Sequence, residues 1–296
     1  MTTDLRGAPG RPSAPPAPTA LRRPNRPRAN LPGGLGALVW LAVVGVPLYA
    51  LLAATFKEKS DYLDNGPLAL PSDPTLGNYA KVWHSGFPTY LLNTALVTVA
   101  VVAIVIALAV PVGYAVVRSR SLLSRAAFRA FLLGLAIPSQ AVIIPVYLVI
   151  TQLRLYDTLL AVILPTAAFS LPVCVLILAG SMRDIDEEMY EAMAVDGAGQ
   201  TRTLLRLVIP MSRAGISTVG VYAALQAWNG FLFPLILTQS ASQRVLTLGL
   251  YDYVAEFRVD TPALLTAVVL SMLPIFVVYL FARRQLINGL MGVGGK

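Results

Sequence analysis

The chain has 296 residues, which would suit one or two soluble domains, but 56% of them are hydrophobic and 13% charged, against about a quarter charged in ordinary globular proteins. So little charge cannot cover a water-facing surface, and a soluble fold is excluded. The net charge of +8 is not accompanied by aromatic residues set among the basic ones, which argues against nucleic acid as a partner.

Residues 1–34 hold eight Pro and six Arg with few large apolar side chains. Such a segment buries too little surface to offset its chain entropy, so it is expected to be a disordered cytoplasmic tail ahead of a membrane domain over 35–296. The run behind it, about 20 residues long, exceeds the apolar core of a cleaved signal and reads as an uncleaved first span. Stretches without Asp, Glu, Lys or Arg recur at 35–56, 90–117, 130–153, 158–182, 214–243 and 261–282, the fifth span being drawn to about residue 240. Each reaches the ~20 residues a helix needs to cross ~30 Å of hydrocarbon. The expectation is an all-α membrane protein with six transmembrane helices. Lys and Arg number 17 in the two tails and the second and fourth loops, against 6 in the other three loops. The positive-inside rule then puts both termini in the cytoplasm.

In the first loop, Thr75 or Asn78 is placed to cap a short helix, with Tyr79 and Trp83 on one face at the lipid–water boundary. Pro111, Pro138, Pro145, Pro165, Pro172, Pro234 and Pro274 lie inside spans, where proline is both a kink and an ordinary feature of membrane helices. Cys174 and His84 are the only residues of their kinds, so no disulfide or Cys/His metal framework can form within the chain. No span carries an ionisable Asp, Glu, Lys, Arg or His, which argues against proton coupling and against intramembrane hydrolysis. Nothing matches a phosphate-binding loop. Energy for uphill transport would have to come from another chain. On these residues alone, a stand-alone secondary carrier or channel for a small polar solute stays open as the alternative.

Residues 183–213 differ from the other loops. Ile185, Met189, Ala192 and Met193 share a helical face, with Asp186, Glu187 and Tyr190 more to the other. Asp184 with Glu187 has the spacing of a capping box. Asp196-Gly197 is expected to end the helix in a left-handed turn, a second short helix starts near Gln200, and Pro210 closes the unit. The small residues at the turn would let a partner's backbone approach closely. A helical hairpin that merely caps the bundle is the competing role.

Glu191-Ala192-Met193, three residues to Gly197, then nine to Leu207-Val208-Ile209-Pro210, resembles the EAA loop (E-A-A-x3-G-x9-I-x-L-P) of the membrane subunits of binding-protein-dependent ABC importers. Met193, Leu207 and Ile209 depart from it, each to another apolar residue. The resemblance covers roughly residues 35–296 and is nearest to the maltose-permease-like, carbohydrate-uptake branch, with support from Thr75-Leu76-Gly77-Asn78-Tyr79, Asn93-Thr94 and Trp228-Asn229. Gly230 stands where that branch has an acidic residue. The resemblance implies a type I importer permease fold in a bacterial cytoplasmic membrane and a non-catalytic chain without a cofactor of its own. It also implies a second homologous permease subunit, two ATP-binding subunits that hold ATP and Mg, and an extracytoplasmic solute-binding protein. It makes 183–213 the coupling loop, with Glu191, Ala192, Met193, Asp196, Gly197, Leu207, Ile209 and Pro210 as its site residues.

A sugar needs hydrogen-bonding groups and a flat apolar face. Within the expected spans, Asn93, Gln140, Gln226 and Asn229 supply the first and Tyr222 and Trp228 the second. Tyr222, Gln226 and Asn229 are spaced to share a face of the fifth span. Interhelical hydrogen bonding, ~0.6 kcal/mol on average, is the competing role for each polar group.

Overall fold

The computed structural model describes residues 31–119, 121–251, 253 and 260–293. The Pro/Arg-rich stretch through residue 30 lies outside them. The described residues fall into two units, one ending at Val46 and one beginning at Pro47. The first is the opening half of helix α1 (Leu31–Thr55), whose Leu35, Leu38 and Trp40 side chains are exposed, as a lipid-facing helix would have them.

In the second unit, α2 (Lys59–Asn65) and α3 (Gly77–His84) precede the long α4 (Phe87–Arg118). Next come α5 (Leu122–Gly134), α6 (Ile143–Gln152) and α7 (Leu159–Arg183). The connection after α7 holds α8 (Glu187–Val195), α9 (Gln200–Thr203) and α10 (Ile209–Met211). Beyond it lie α11 (Arg213–Trp228), α12 (Leu232–Leu237), α13 (Leu246–Gly249) and α14 (Thr261–Val293). Among the described residues there is no strand.

The core is built from three ridges, each stepping four residues at a time. On α4 the ridge is Val97, Val101, Val105, Ala109 and Gly113; on α7 it is Val162, Thr166, Ser170, Cys174, Leu178 and Met182; on α11 it is Gly215, Val219, Ala223 and Ala227. All of these are buried. A four-residue step keeps side chains in one row along a helix, and rows of this kind interlock with rows on a neighbour. Lipid is as apolar as valine, so close packing rather than water exclusion holds such helices together, and small residues let the backbones approach. A Cβ at Gly113 would sit 3.3 Å from Leu178 Cβ, and one at Gly215 would sit 2.6 Å from Ser181 Oγ.

Among the described residues, four helices are long and apolar enough to cross a membrane: Pro32–Thr55, α4, α7 and Thr261–Val278. The other two expected spans are interrupted. The stretch 130–153 is not one helix: α5 and the segment from Ser139 to Gln152 meet at 96° around residues 135–138. Pro138 supplies the cause, since it lacks a donor and disfavours helix in the residue before it. The stretch 214–243 is also not one helix. It is bent by 79° from the preceding Gln200–Met211 segment, and α11 stops at Trp228, with residues 229–231 separating it from α12. Counting each bent pair as one span gives six.

Around α3 the structure departs from the capping expected of Thr75 and Asn78. The N-cap position is Leu76, without a side-chain bond, and the Thr75 hydroxyl accepts from Gly77 N–H at 3.0 Å. Asn78 is buried, and its amide donates to the carbonyls of Thr55 (3.0 Å) and Lys57 (2.8 Å) at the end of α1. Tyr79 donates to Thr55 Oγ1, whereas Trp83 is exposed, so the two rings do not share one setting.

Candidate functional site

Two places gather the residues singled out in the sequence. The first is the connection between α7 and α11. Helix α8 starts at Glu187, not after Asp184. Asp184 ends α7 with helical φ/ψ (−77°, −6°), so its carboxylate is not in the extended geometry an N-cap needs, and the expected capping box does not form. Glu187 pairs with Arg118 at the end of α4 instead.

Ile185 and Tyr190 are the buried side chains that seat α8, while Met189 is 43% exposed. Tyr190 was expected on the open face. It turns inward because the Arg118 guanidinium lies over its ring, 4.2 Å from the centroid, while the ring packs into the main core. Burial raises the Tyr190 phenol above its ordinary pKa. Glu188, Glu191, Ala192 and Asp196 remain exposed, and Val195 beside them is 88% exposed.

The turn after α8 closes as the sequence suggests. Gly197 has φ +68°; its N–H donates to Ala194 O at 3.0 Å and that of Ala198 to Met193 O at 2.9 Å. This pair of bonds is the Schellman arrangement, which needs a left-handed residue at the glycine position. Past α9 the chain widens into a π-helical turn, Leu204–Val208, in which Ile209 N–H reaches Leu204 O. Pro210 follows directly, and its ring would strike the carbonyl four residues back in a regular helix. The motif residues therefore divide. Glu191, Ala192, Asp196 and Gly197 face outward, Met193, Ile209 and Pro210 are half-buried, and Leu207 is 5% exposed in the core.

The second place is a cavity of about 210 Å³ lined by Ser139, Thr166, Phe169, Ser170, Gln226 and residues 230–233. Ser139 follows the 96° bend after α5, and Gly230 and Phe231 lie in the gap between α11 and α12. Phe169 and Phe233 pack at 5.5 Å between centroids. The Thr166 and Ser170 hydroxyls donate to the carbonyls of Val162 (2.7 Å) and Thr166 (2.8 Å) in their own helix.

Of the six path candidates, only Gln226 lines this cavity. Asn93 is buried and donates to the carbonyls of Ser242 and Arg244, both at 2.8 Å. Asn229 donates to Leu225 O at 2.9 Å within its own helix end. Trp228 donates to Ser271 O on α14 at 3.3 Å, and Tyr222 packs at the edge of the main core. Gln140 is exposed, 3.4 Å from Ser139 Oγ. Sequence reasoning passed over Ser139, Thr166, Ser170, Phe231 and Phe233. The available signal was the pairing of Pro138 and Gly230 as interruptions in otherwise unbroken apolar runs.

Residues 101–288 match the family described as binding-protein-dependent transport system inner membrane component. A protein named as an ABC transporter permease (ORF2) in Caldicellulosiruptor sp. strain Rt8B.4 is 34% identical over 86% of this chain and 92% of its own length. A diacetylchitobiose uptake system permease protein of Streptomyces coelicolor is 28% identical over 84% of this chain and 83% of its own. The melibiose/raffinose/stachyose import permease protein of Bacillus subtilis is 25% identical over 83% and 89%. Among solved structures, a chain of a bacterial ABC transporter that imports alginate superimposes with a TM-score of 0.74 at 19% identity, covering 88% of this chain and 99% of that one. This last likeness establishes the fold.

Proposed function

The chain belongs to the binding-protein-dependent transport system inner membrane components, and from that membership we infer a permease subunit that carries a sugar or oligosaccharide across a bacterial cytoplasmic membrane. It is a non-catalytic chain: ATP and Mg are held by two separate ATP-binding subunits. A second homologous permease completes the pathway, and an extracytoplasmic binding protein delivers the sugar. The 17-to-6 split of Lys and Arg supports cytoplasmic N- and C-termini, with residues 183–213 on the same side.

The observation that carries the coupling role is the surface of α8. A water-facing loop has no reason of its own to leave Val195 88% exposed beside Met189 and Ala192, with Glu191 and Asp196 around them. An apolar strip with an acidic border is what a docking helix presents to a partner's cleft. Its rear is fixed to the bundle by Ile185, Tyr190 and Leu207, so force applied to the front reaches α4 and α7. The role of Glu191 is to pair with a basic group of the ATP-binding subunit, and Gly197 fixes the angle between the two arms.

The test is a cysteine at Val195 in a Cys174→Ala background, crosslinked in membranes that hold the whole importer. A crosslink to the ATP-binding subunit is expected, together with loss of uptake in Glu191→Lys and Gly197→Asp while both proteins remain in the membrane. No crosslink, with uptake intact in both variants, would overturn the coupling role.

A further inference from the structure

We propose that an apolar groove between α6 and α7 binds one phospholipid, with an acyl chain in the groove and the phosphate on Arg154 at its mouth. The inference rests on the chain's place in a membrane and not on what it transports. The groove has a volume of about 330 Å³, with one wall from Pro145 to Leu153 and the other from Leu164 to Phe169, and every lining side chain is apolar. Pro165 and Ala168 give the α7 wall short side chains, so the two helices do not close on each other there. Val149, Leu153 and Leu164 are 53%, 58% and 42% exposed, so the groove opens outward, where a membrane offers acyl chains. Lipid is as apolar as these walls, so water exclusion selects nothing here. What selects one chain is the larger number of close contacts that a concave wall makes with it.

The second observation is the residue that follows the groove. Arg154 comes directly after Leu153 and has φ +57°. Its N–H donates to Thr151 O and that of Leu155 to Ile150 O, both at 3.0 Å. This is the Schellman ending of α6, with arginine where glycine is the ordinary occupant. A long side chain in that conformation is strained, and strain of this kind gathers at ligand sites. Arg154 is exposed, and its guanidinium has no ion pair or hydrogen bond among the described residues. The acid of the same turn, Asp157, spends its carboxylate on Ser240 and on the Gln239 N–H. An unbalanced cation therefore stands at the mouth of the groove.

The third observation is depth. Thr151, Gln152, Arg154, Asp157 and Thr158 end the apolar run, which puts the α6–α7 turn at the lipid–water boundary. At ~1.5 Å of rise per residue, Leu164 and Phe169 lie about 8 and 15 Å along α7 from its start at Leu159. That is within the ~15 Å that a hydrocarbon core of ~30 Å gives each leaflet. The cation is thus level with lipid phosphates and the groove with lipid tails. No acid at the mouth is free to hold an ammonium headgroup, so phosphatidylglycerol fits better than zwitterionic phosphatidylcholine.

The test uses the complete importer, co-expressed with its partner subunits and reconstituted in phosphatidylcholine vesicles. These carry a trace of either phosphatidylglycerol or phosphatidylcholine with a diazirine in the acyl chain, and the crosslinked peptides are identified after illumination. Labelling is expected to concentrate on α6 and the first half of α7, and to favour phosphatidylglycerol. Arg154→Gln should reduce labelling by phosphatidylglycerol about fivefold, as for one cation near a lipid surface, while Arg154→Lys keeps it. Ala168→Phe, and from the opposite wall Val149→Trp, should fill the groove and remove its labelling by both lipids. Labelling spread evenly over the exposed apolar surface, equal labelling by the two lipids, or labelling that neither filling variant lowers overturns the site. So does a benzoylphenylalanine in place of Val149 that captures another subunit of the importer instead of lipid.

Discussion

The Arg118 guanidinium covers the face of Tyr190, 4.2 Å from the ring centroid, and pairs with Glu187 on the same turn of α8. The ion pair is largely solvated, with side chains 34% and 59% exposed, so it is worth about 0–1 kcal/mol. The cation–ring contact adds about 0.5–1 kcal/mol. Burial of the tyrosine outweighs both, at about 1.5–3 kcal/mol for a side chain of that size. Tyr190→Ala is therefore expected to loosen α8 far more than Glu187→Gln. Because the Tyr190 hydroxyl is buried without a partner among the described residues, Tyr190→Phe should be neutral or slightly stabilising. Hydrogen exchange across α8 in the three variants checks the order.

Gly197 and Gly199 are both open to an added Cβ, with nothing within 4 Å, yet only Gly197 has a left-handed φ, +68°. Gly197→Ala should cost about 1 kcal/mol of local stability, and Gly199→Ala less than about 0.5 kcal/mol. Exchange of the Ala198 amide, held at 2.9 Å by Met193 O, reports the difference.

Asn93 brackets the carbonyls of Ser242 and Arg244. Removing a buried amide leaves those acceptors short at about 1–3 kcal/mol. Asn93→Ala is expected to lower the thermal midpoint of the purified importer and leave the order of preference among sugars unchanged. A changed preference with an unchanged midpoint would place Asn93 on the solute path.

A Cβ on Gly249 would stand 2.2 Å from Tyr90 Cδ2. Gly249→Ala must push α13 away from α4, at about 1–3 kcal/mol. Thermal unfolding should show that loss, with partial recovery when Tyr90→Leu is added.

Asp157 joins the α6–α7 turn to the segment after α12. Its carboxylate accepts from the Ser240 hydroxyl and from the backbone N–H of Gln239 (2.8 Å) and Ser240 (2.9 Å), and these bonds hold its pKa below the ordinary carboxylate value. A lowered folded-state pKa means stabilisation that is present above the unfolded value, about 3.9, and lost as pH falls through the folded one. Wild type should be more heat-stable than Asp157→Asn at neutral pH, with the gap closing below about pH 4. A gap that is constant with pH would show that the carboxylate charge contributes nothing.

What could be read from the sequence was local in origin. Gly197 was legible because one residue's conformation decides how α8 ends, and the long charge-free runs located the helices because lipid tolerates so little else. Tyr190 was not legible. Its orientation depends on Arg118, which is distant in the chain and reaches it only once α4 and α8 have packed. Asn93 and Gln226 are both amides in apolar runs, and the sequence alone could not tell the one that fastens a loop from the one that faces a cavity. The breaks near Pro138 and Gly230 were signalled by those two residues alone, because apolar content says how much chain is lipid-compatible, not whether its backbone continues unbroken.

The carbonyl of Thr55, the last residue of helix α1, is satisfied from a different element, by Asn78, 23 residues further on. In a chain made from its N-terminus, the leading helix is thus synthesised before the group that finishes it. The Thr55 carbonyl gains this partner only once α3 has been made and folded back. Completion of α1 accordingly has a built-in order, in which the α3 segment must be made and fold back before the helix end is finished.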